Sequence, residues 1–374
     1  MKYSGIGGQA VMEGIMMRSG DRYSVGVRKP DGDISVEVFD FVPYAKRFAL
    51  ARIPFIRGSF AFVESMVIGM KTLMYSASFF EDDEEYEPSA FEKWLERKFG
   101  DKVDKIIITF SMIIALLLAL VIFIWLPLFI AGILKNIITS ETLMALIEGV
   151  IRVSIFVLYI KLISRTPDIN RTFMYHGAEH KCINCIEHGL PLNVDNAAVS
   201  SKEHKRCGTS FIIIVMLISI LFFMVIRVED PVMRFVSRIV LMPVIAGVSY
   251  EFLRLAGRSD SPVVNLFSKP GLWMQALTTY EPDDSMLEVA IAAVDAVFDW
   301  RKYQAEEFPE GPDELGKRLS LKAAERKNMK AAGTLSGAAM STDGLSGAVL
   351  SDEAVSGDDL NRDDLSGAAA AENT

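Results

Sequence analysis

Four apolar runs constrain this chain more than any other feature. Ile106 to Gly132 carries only Thr109 and Ser111 as polar residues, and it exceeds the roughly 20 residues that cross a bilayer. Pro127 is expected to bend this helix near its exit. A second run, Thr142 to Ile163, is interrupted by Glu148 and Arg152. One helical turn separates these two, so they can pair and face other helices, or line a polar path. Phe211 to Ile226 is short and must borrow Gly208 to Ser210 or Val228 to span, with a re-entrant helix as the alternative. The fourth run, Phe235 to Ala256, has Arg238 near one end and Glu251 and Arg254 near the other. Spans are expected at about 105–131, 142–163, 209–228 and 235–256. The class is therefore a mainly α, polytopic helical membrane protein.

Basic residues set the orientation. Lys93, Arg97, Lys98 and Lys102 precede the first run. Only Lys135 follows it, whereas Arg165, Arg171, Lys181, Lys202, Lys205 and Arg206 lie between the second and third. Both termini and the segment 165–207 are expected in the cytoplasm, with the protein in the inner (cytoplasmic) membrane. The first residues have no apolar stretch of the kind found in signal peptides, so no cleavable signal is expected. The formal charge is −9, and from Glu306 onward 14 acidic residues face 7 basic ones, so this tail supplies −7 of it. A nucleic-acid binder would need a basic face, so none is expected as a partner. The bilayer is, with membrane proteins as further candidates.

Outside the runs, 1–104 reads as an N-terminal cytoplasmic region. Tyr23–Arg28 and Ile34–Phe39 flank Pro30-Asp31-Gly32-Asp33 as a β-hairpin. Residues 55–79 form an apolar cylinder with Arg57, Glu64 and Lys71 on one stripe, which lies in the interface or packs into the bundle. Glu81 to Glu87 is an acidic linker. The region 261–308 ends in an amphipathic helix over 285–308, with Leu287, Ala290, Ile291, Val294 and Phe298 on one face. The stretch 309–374 repeats Leu-Ser-Gly in a polar background and reads as a disordered tail.

All 3 Cys and all 4 His fall between His176 and Cys207, which points to one site and not to a disulfide framework. His176-Gly177-Ala178-Glu179-His180 is an H-x-x-E-H pattern. On a helix both imidazoles share a face, and Glu179 stands where it can orient a bound water or take its proton. Imidazole and thiolate favour zinc, although manganese or iron can occupy similar sites. His204 and Cys207, at the foot of the third run, are the candidates for a third ligand. A closed structural His/Cys site is the alternative. Cys182 and Cys185 have a C-x₂-C spacing but no second pair. His188, beside Gly189, reads as a helix end. Arg206 can clamp a phosphate or carboxylate. Gly5-x-Gly7-x-x-Ala10 has the dinucleotide spacing without the βαβ context, so it reads as a Gly-rich turn that lets Glu13 or the backbone approach another part of the chain.

Gly7-Gly8-Gln9-Ala10-Val11-Met12-Glu13-Gly14, Tyr175-His176-Gly177-Ala178-Glu179-His180-Lys181 and His204-x-Arg206-Cys207-Gly208-Thr209-Ser210-Phe211 resemble a bacterial membrane-protein family. Tyr250-Glu251, Pro270-Gly271-Leu272-Trp273 and Glu281-Pro282-Asp283-Asp284 continue the resemblance, which covers about 3–300. The family is the domain-of-unknown-function 1385 family, labelled predicted metal-dependent enzymes. The resemblance implies Glu179 as the catalytic residue and His176, His180, His204 and Cys207 as metal ligands. Glu13 would contribute from the N-terminal loop, and Cys185 is favoured over Cys182. The expected function is a metal-dependent, zinc-favouring hydrolase at the cytoplasmic interface, acting on a lipid or membrane peptide. The alternative is a non-enzymatic factor in protein insertion or envelope assembly, with a structural metal or none.

Overall fold

The computed structural model describes residues 2–80, 103–134, 138, 140–204, 207–226, 228, 230–256 and 261–332. The acidic linker, Arg206 and the chain beyond 332 lie outside the described residues.

Among the described residues, four helices are long and apolar enough to cross a membrane: Ile107–Ile133, Thr142–Ile163, Gly208–Val225 and Val232–Ala256. The first belongs to α2, made of Val103–Leu120, a π-helical turn Val121–Trp125, and Leu126–Ile133. The wide turn comes just before Pro127, whose ring would otherwise press on the carbonyl of Phe123. The second belongs to α3 (Glu141–Ile163). The third is α6 (Gly208–Val225), which does borrow Gly208 to Ser210 and stops at Ile226, giving about 27 Å at 1.5 Å per residue. The fourth is α7 (Pro231–Ala256). Glu148 and Arg152 do pair, at 2.7 Å, and Arg238 of α7 closes on the other Glu148 oxygen at 2.8 Å.

The N-terminal hairpin is half of a larger sheet. β1 (Gly7–Val11), β2 (Gly14–Ser19), β3 (Arg22–Arg28) and β4 (Ile34–Asp40) form an antiparallel meander in chain order. The first two strands are glycine-rich and lack a clean polar–apolar alternation, because both sheet faces are covered. One face packs Val11, Met16, Val25 and Val27 against Ile68 of α1 (Ile56–Ala77). The other packs Ile15 and Met17 against α4 (Pro167–Glu187) and α9 (Asp284–Val297), where Tyr175, Ile183, Met286 and Leu287 are fully or almost fully buried.

α1 turns its polar and small side inward: Gly58, Glu64, Gly69, Thr72 and Ser76 are buried. Phe62, Val63, Met66, Val67 and Met70 are exposed. Glu64 binds Arg18 at 3.0 Å, and Arg57 pairs with Glu251 of α7. The helix thus joins the sheet to the span bundle with its apolar face outward, as an interfacial element does.

Behind the fourth span, α8 (Pro262–Thr278) packs against α6. The amphipathic segment expected over 285–308 is two helices, α9 and α10 (Trp300–Glu307), because Asp299 caps a new helix by accepting from the Lys302 N–H at 3.0 Å. The stretch expected to be disordered from 309 contains α11 (Glu314–Ala331), capped by Asp313. Leu315 and Leu319 pack on the core, and Asp195 and Asp284 clasp the helix through Arg326 and Lys330; so short an apolar stripe among so many charges is hard to read in a sequence. A short helix, α5 (Val194–Val199), completes the layer.

Candidate metal centre

α4 opens with Pro167 at its first helical position and Asp168 in its first turn, both favourable at a helix N-terminus. It remains helical through the whole His/Cys motif, so His176 and His180 stack with ring centroids 4.5 Å apart. Cys207 arrives from the other side as the N-cap of α6, its sulfur accepting from the Thr209 N–H at 3.3 Å. One ligand atom each from His176, His180 and Cys207 lies within 4.8 Å of the others, and His176 Nε2 is 3.2 Å from Cys207 Sγ.

Backbone carbonyls orient both imidazoles. His176 Nδ1 bonds the Thr278 carbonyl at 2.9 Å and His180 Nδ1 bonds that of Lys202 at 2.6 Å. Each Nδ1 therefore carries the proton, leaving Nε2 as the ligand atom, the arrangement that metal-binding histidines use. Burial favours the neutral Cys207 thiol, but His176 and His180 outweigh it and hold the sulfur well below the ordinary thiol range. Burial also opposes charge on His176, while Cys207 and Glu179 raise it to about 9. Burial pushes Glu179 up, against the pull of the two histidines. Its Oε2 is buried without a hydrogen-bond partner. Three clustered soft and imidazole donors, with an orphaned carboxylate oxygen beside them, fit a zinc ion that keeps one open position.

A cavity of about 890 Å³ opens onto this cluster. Gly7, Gly8, Gln9 and Ala10 of β1, Phe62 and Met66 of α1, Phe173 of α4 and Ile212 of α6 line it.

The other expected site residues are placed differently. His204 lines the cavity, its ring 5.8 Å from His180, but its Nε2 bonds the fully buried Glu187 at 3.3 Å and it stays outside the ligand trio. Glu13 turns to Arg171. Cys185 is buried against the carbonyls of Leu190 and Pro191, and burial pushes its thiol up to about 12. Cys182 is buried in the core and is raised well above the usual range for the same reason. Neither belongs to a metal-competent cluster among the described residues. His188 ends α4 and pairs with Asp313 at 2.7 Å.

Sequence reading missed Gln275, which clamps the His204 backbone through both its N–H (2.8 Å) and its carbonyl (2.7 Å). It also missed the carbonyls of Thr278 and Lys202. A carbonyl leaves no mark in a sequence, and Gln275 carries no motif.

The family described as "Protein of unknown function (DUF1385)" matches residues 53–300. The "Uncharacterized protein YqhQ" of Bacillus subtilis (strain 168) is 34% identical over 286 residues, covering 76% of this chain and 89% of that protein. No solved structure matches.

Proposed function

This chain belongs to the DUF1385 family, and we propose that it is an integral-membrane, metal-dependent hydrolase acting at the cytoplasmic membrane interface on a lipid or membrane-peptide substrate. The observation that carries this reading is the convergence of His176, His180 and Cys207 beside the unpartnered Oε2 of Glu179. His176 and His180 would hold zinc through Nε2, and Cys207 through its thiolate. When bound, the ion supplies Lewis acidity and brings the pKa of a bound water towards neutrality. Glu179 would hold the transferred proton at Oε2, taking it from the attacking water and releasing it to the leaving group. Burial supports that role by raising its carboxyl above the ordinary carboxylate range. The basic residues between the second and third spans support a cytoplasmic site.

Elemental analysis of detergent-purified protein tests the reading. Near-stoichiometric metal in the wild type, lost in a His176→Ala/His180→Ala variant and kept in Glu179→Gln, is the expected result. Wild-type protein purified without chelators and holding no metal would turn the reading to a non-enzymatic membrane factor.

A further inference from the structure

The sheet layer ends at β1, and the cavity begins there. Among the described residues β1 is an edge strand, paired with β2 alone. α1 covers one face of the sheet and α4 with α9 cover the other, while β1, α1 and α4 all line the cavity. The cavity therefore continues the sheet between the same two helical layers, in the position of a fifth strand.

Strand register shows which backbone groups face it. Val11 and Gly14 close the β1–β2 hairpin across the two-residue loop Met12-Glu13, which makes them a hydrogen-bonded pair. Alternation then turns the N–H and C=O of Ala10 and Gly8 to the free edge.

We propose that the cavity binds an extended peptide segment bearing an apolar side chain, which pairs with β1 as a fifth strand and carries its backbone past Glu179. This deepens the hydrolase reading and rests on it for the fate of the peptide. The backbone donors and acceptors of Gly8 and Ala10 on the free edge favour a peptide, which can answer each of them, over a lipid tail, which cannot. Among the described lining residues Arg18 is the one basic side chain, and Glu64 engages it at 3.0 Å. Phe62, Met66 and Ile212 give an apolar side chain its pocket. Strand addition supplies affinity through main-chain bonds and specificity through such pockets.

The test is fluorescence anisotropy on the full chain in detergent, with a fluorescein-labelled Val/Leu/Thr peptide of about ten residues, which outreaches β1 at about 3.3 Å per residue. The same peptide N-methylated on alternate amides keeps its side chains and loses its strand donors. Saturable binding, weakened about tenfold or more by N-methylation and by Ala10→Pro, is expected, since one or two hydrogen bonds are lost. N-methylation alters no residue of the protein, so it decides the matter even if Ala10→Pro does not fold. Equal binding of both peptides, no saturable binding, or preferential binding of dihexanoylphosphatidylglycerol overturns the proposal. Methylation-sensitive binding that persists in His176→Ala/His180→Ala, with no metal or hydrolysis in the wild type, sinks the hydrolase reading alone. A metal-loaded protein indifferent to N-methylation sinks the strand alone.

Discussion

Gly8 lies against Glu179 so closely that a Cβ on Gly8 would stand 2.9 Å from Glu179 Cδ and 2.7 Å from the Met16 carbonyl oxygen. A glycine on the edge strand thus sets where the carboxylate on α4 rests. Gly8→Ala must move backbone, because the Met16 oxygen cannot swing aside, and such overpacking costs about 1–3 kcal/mol. The variant is expected to melt several degrees lower with the metal content of the wild type, since the nearest atoms it meets belong to Met16, Met17 and Glu179 and not to His176, His180 or Cys207. Calorimetry with elemental analysis checks both, and an unchanged melting temperature would refute the close approach.

The three thiols should separate cleanly under alkylation. Cys207 lines the cavity and is held as a thiolate by the two histidines, whereas burial keeps Cys182 and Cys185 protonated. Only the thiolate reacts. Iodoacetamide applied to metal-stripped protein, followed by peptide mass spectrometry, should label Cys207 first and the other two only on unfolding. Added zinc should protect Cys207. Early labelling of Cys185 would contradict its packing.

The spans and the ligand trio were legible for opposite reasons. An apolar run has one stable solution in a bilayer, so Ile107–Ile133 and Thr142–Ile163 could be read by length. His176 and His180 were legible because one helical turn fixes their geometry, and Cys207 because it sits where the third span begins. His204 has the same chemistry and was read the same way. Its exclusion depends on Glu187 and Gln275, partners separated from it by 17 and 71 residues, and no local pattern records them. The Gly-rich start was legible as a place of close approach but was read as a turn, whereas Gly7–Val11 is a strand that brings Gly8 beside Glu179. β1 and β2 went unread because alternation fails when both faces of a sheet are buried.

Inside the span bundle, Glu148 holds two guanidiniums. Arg152 bonds it and also Ser219 at 3.1 Å, and Arg238 bonds its second oxygen. Removing the shared acid leaves two buried cations, while removing one arginine leaves a matched pair. Glu148→Ala should therefore cost about 3–5 kcal/mol, and Arg152→Met or Arg238→Met distinctly less. Thermal unfolding in micelles ranks the three, and an arginine variant weaker than Glu148→Ala would show that the acid is not the hub.

The docking of α11 should respond to acid at an unusually low pH. Burial raises the carboxyl of Asp284, but hydrogen bonds from Lys330 and Arg326 outweigh it. For Asp313 the Gly316 N–H and His188 outweigh burial, so both acids lie below the ordinary aspartate value of 3.8. A depressed folded-state pKa gives stability that is present above the unfolded value and lost as pH falls through the folded one. α11 should accordingly stay docked at pH 5 and release only below about pH 4. Hydrogen exchange over 314–331, followed from neutral pH downward, reads the transition. Asp284→Asn should loosen the helix already at neutral pH by removing one of the two carboxylates that hold both Arg326 and Lys330, leaving Asp195 alone. Release of α11 above pH 5 in the wild type, or an unaltered Asp284→Asn, would show that the clasp is not what holds it.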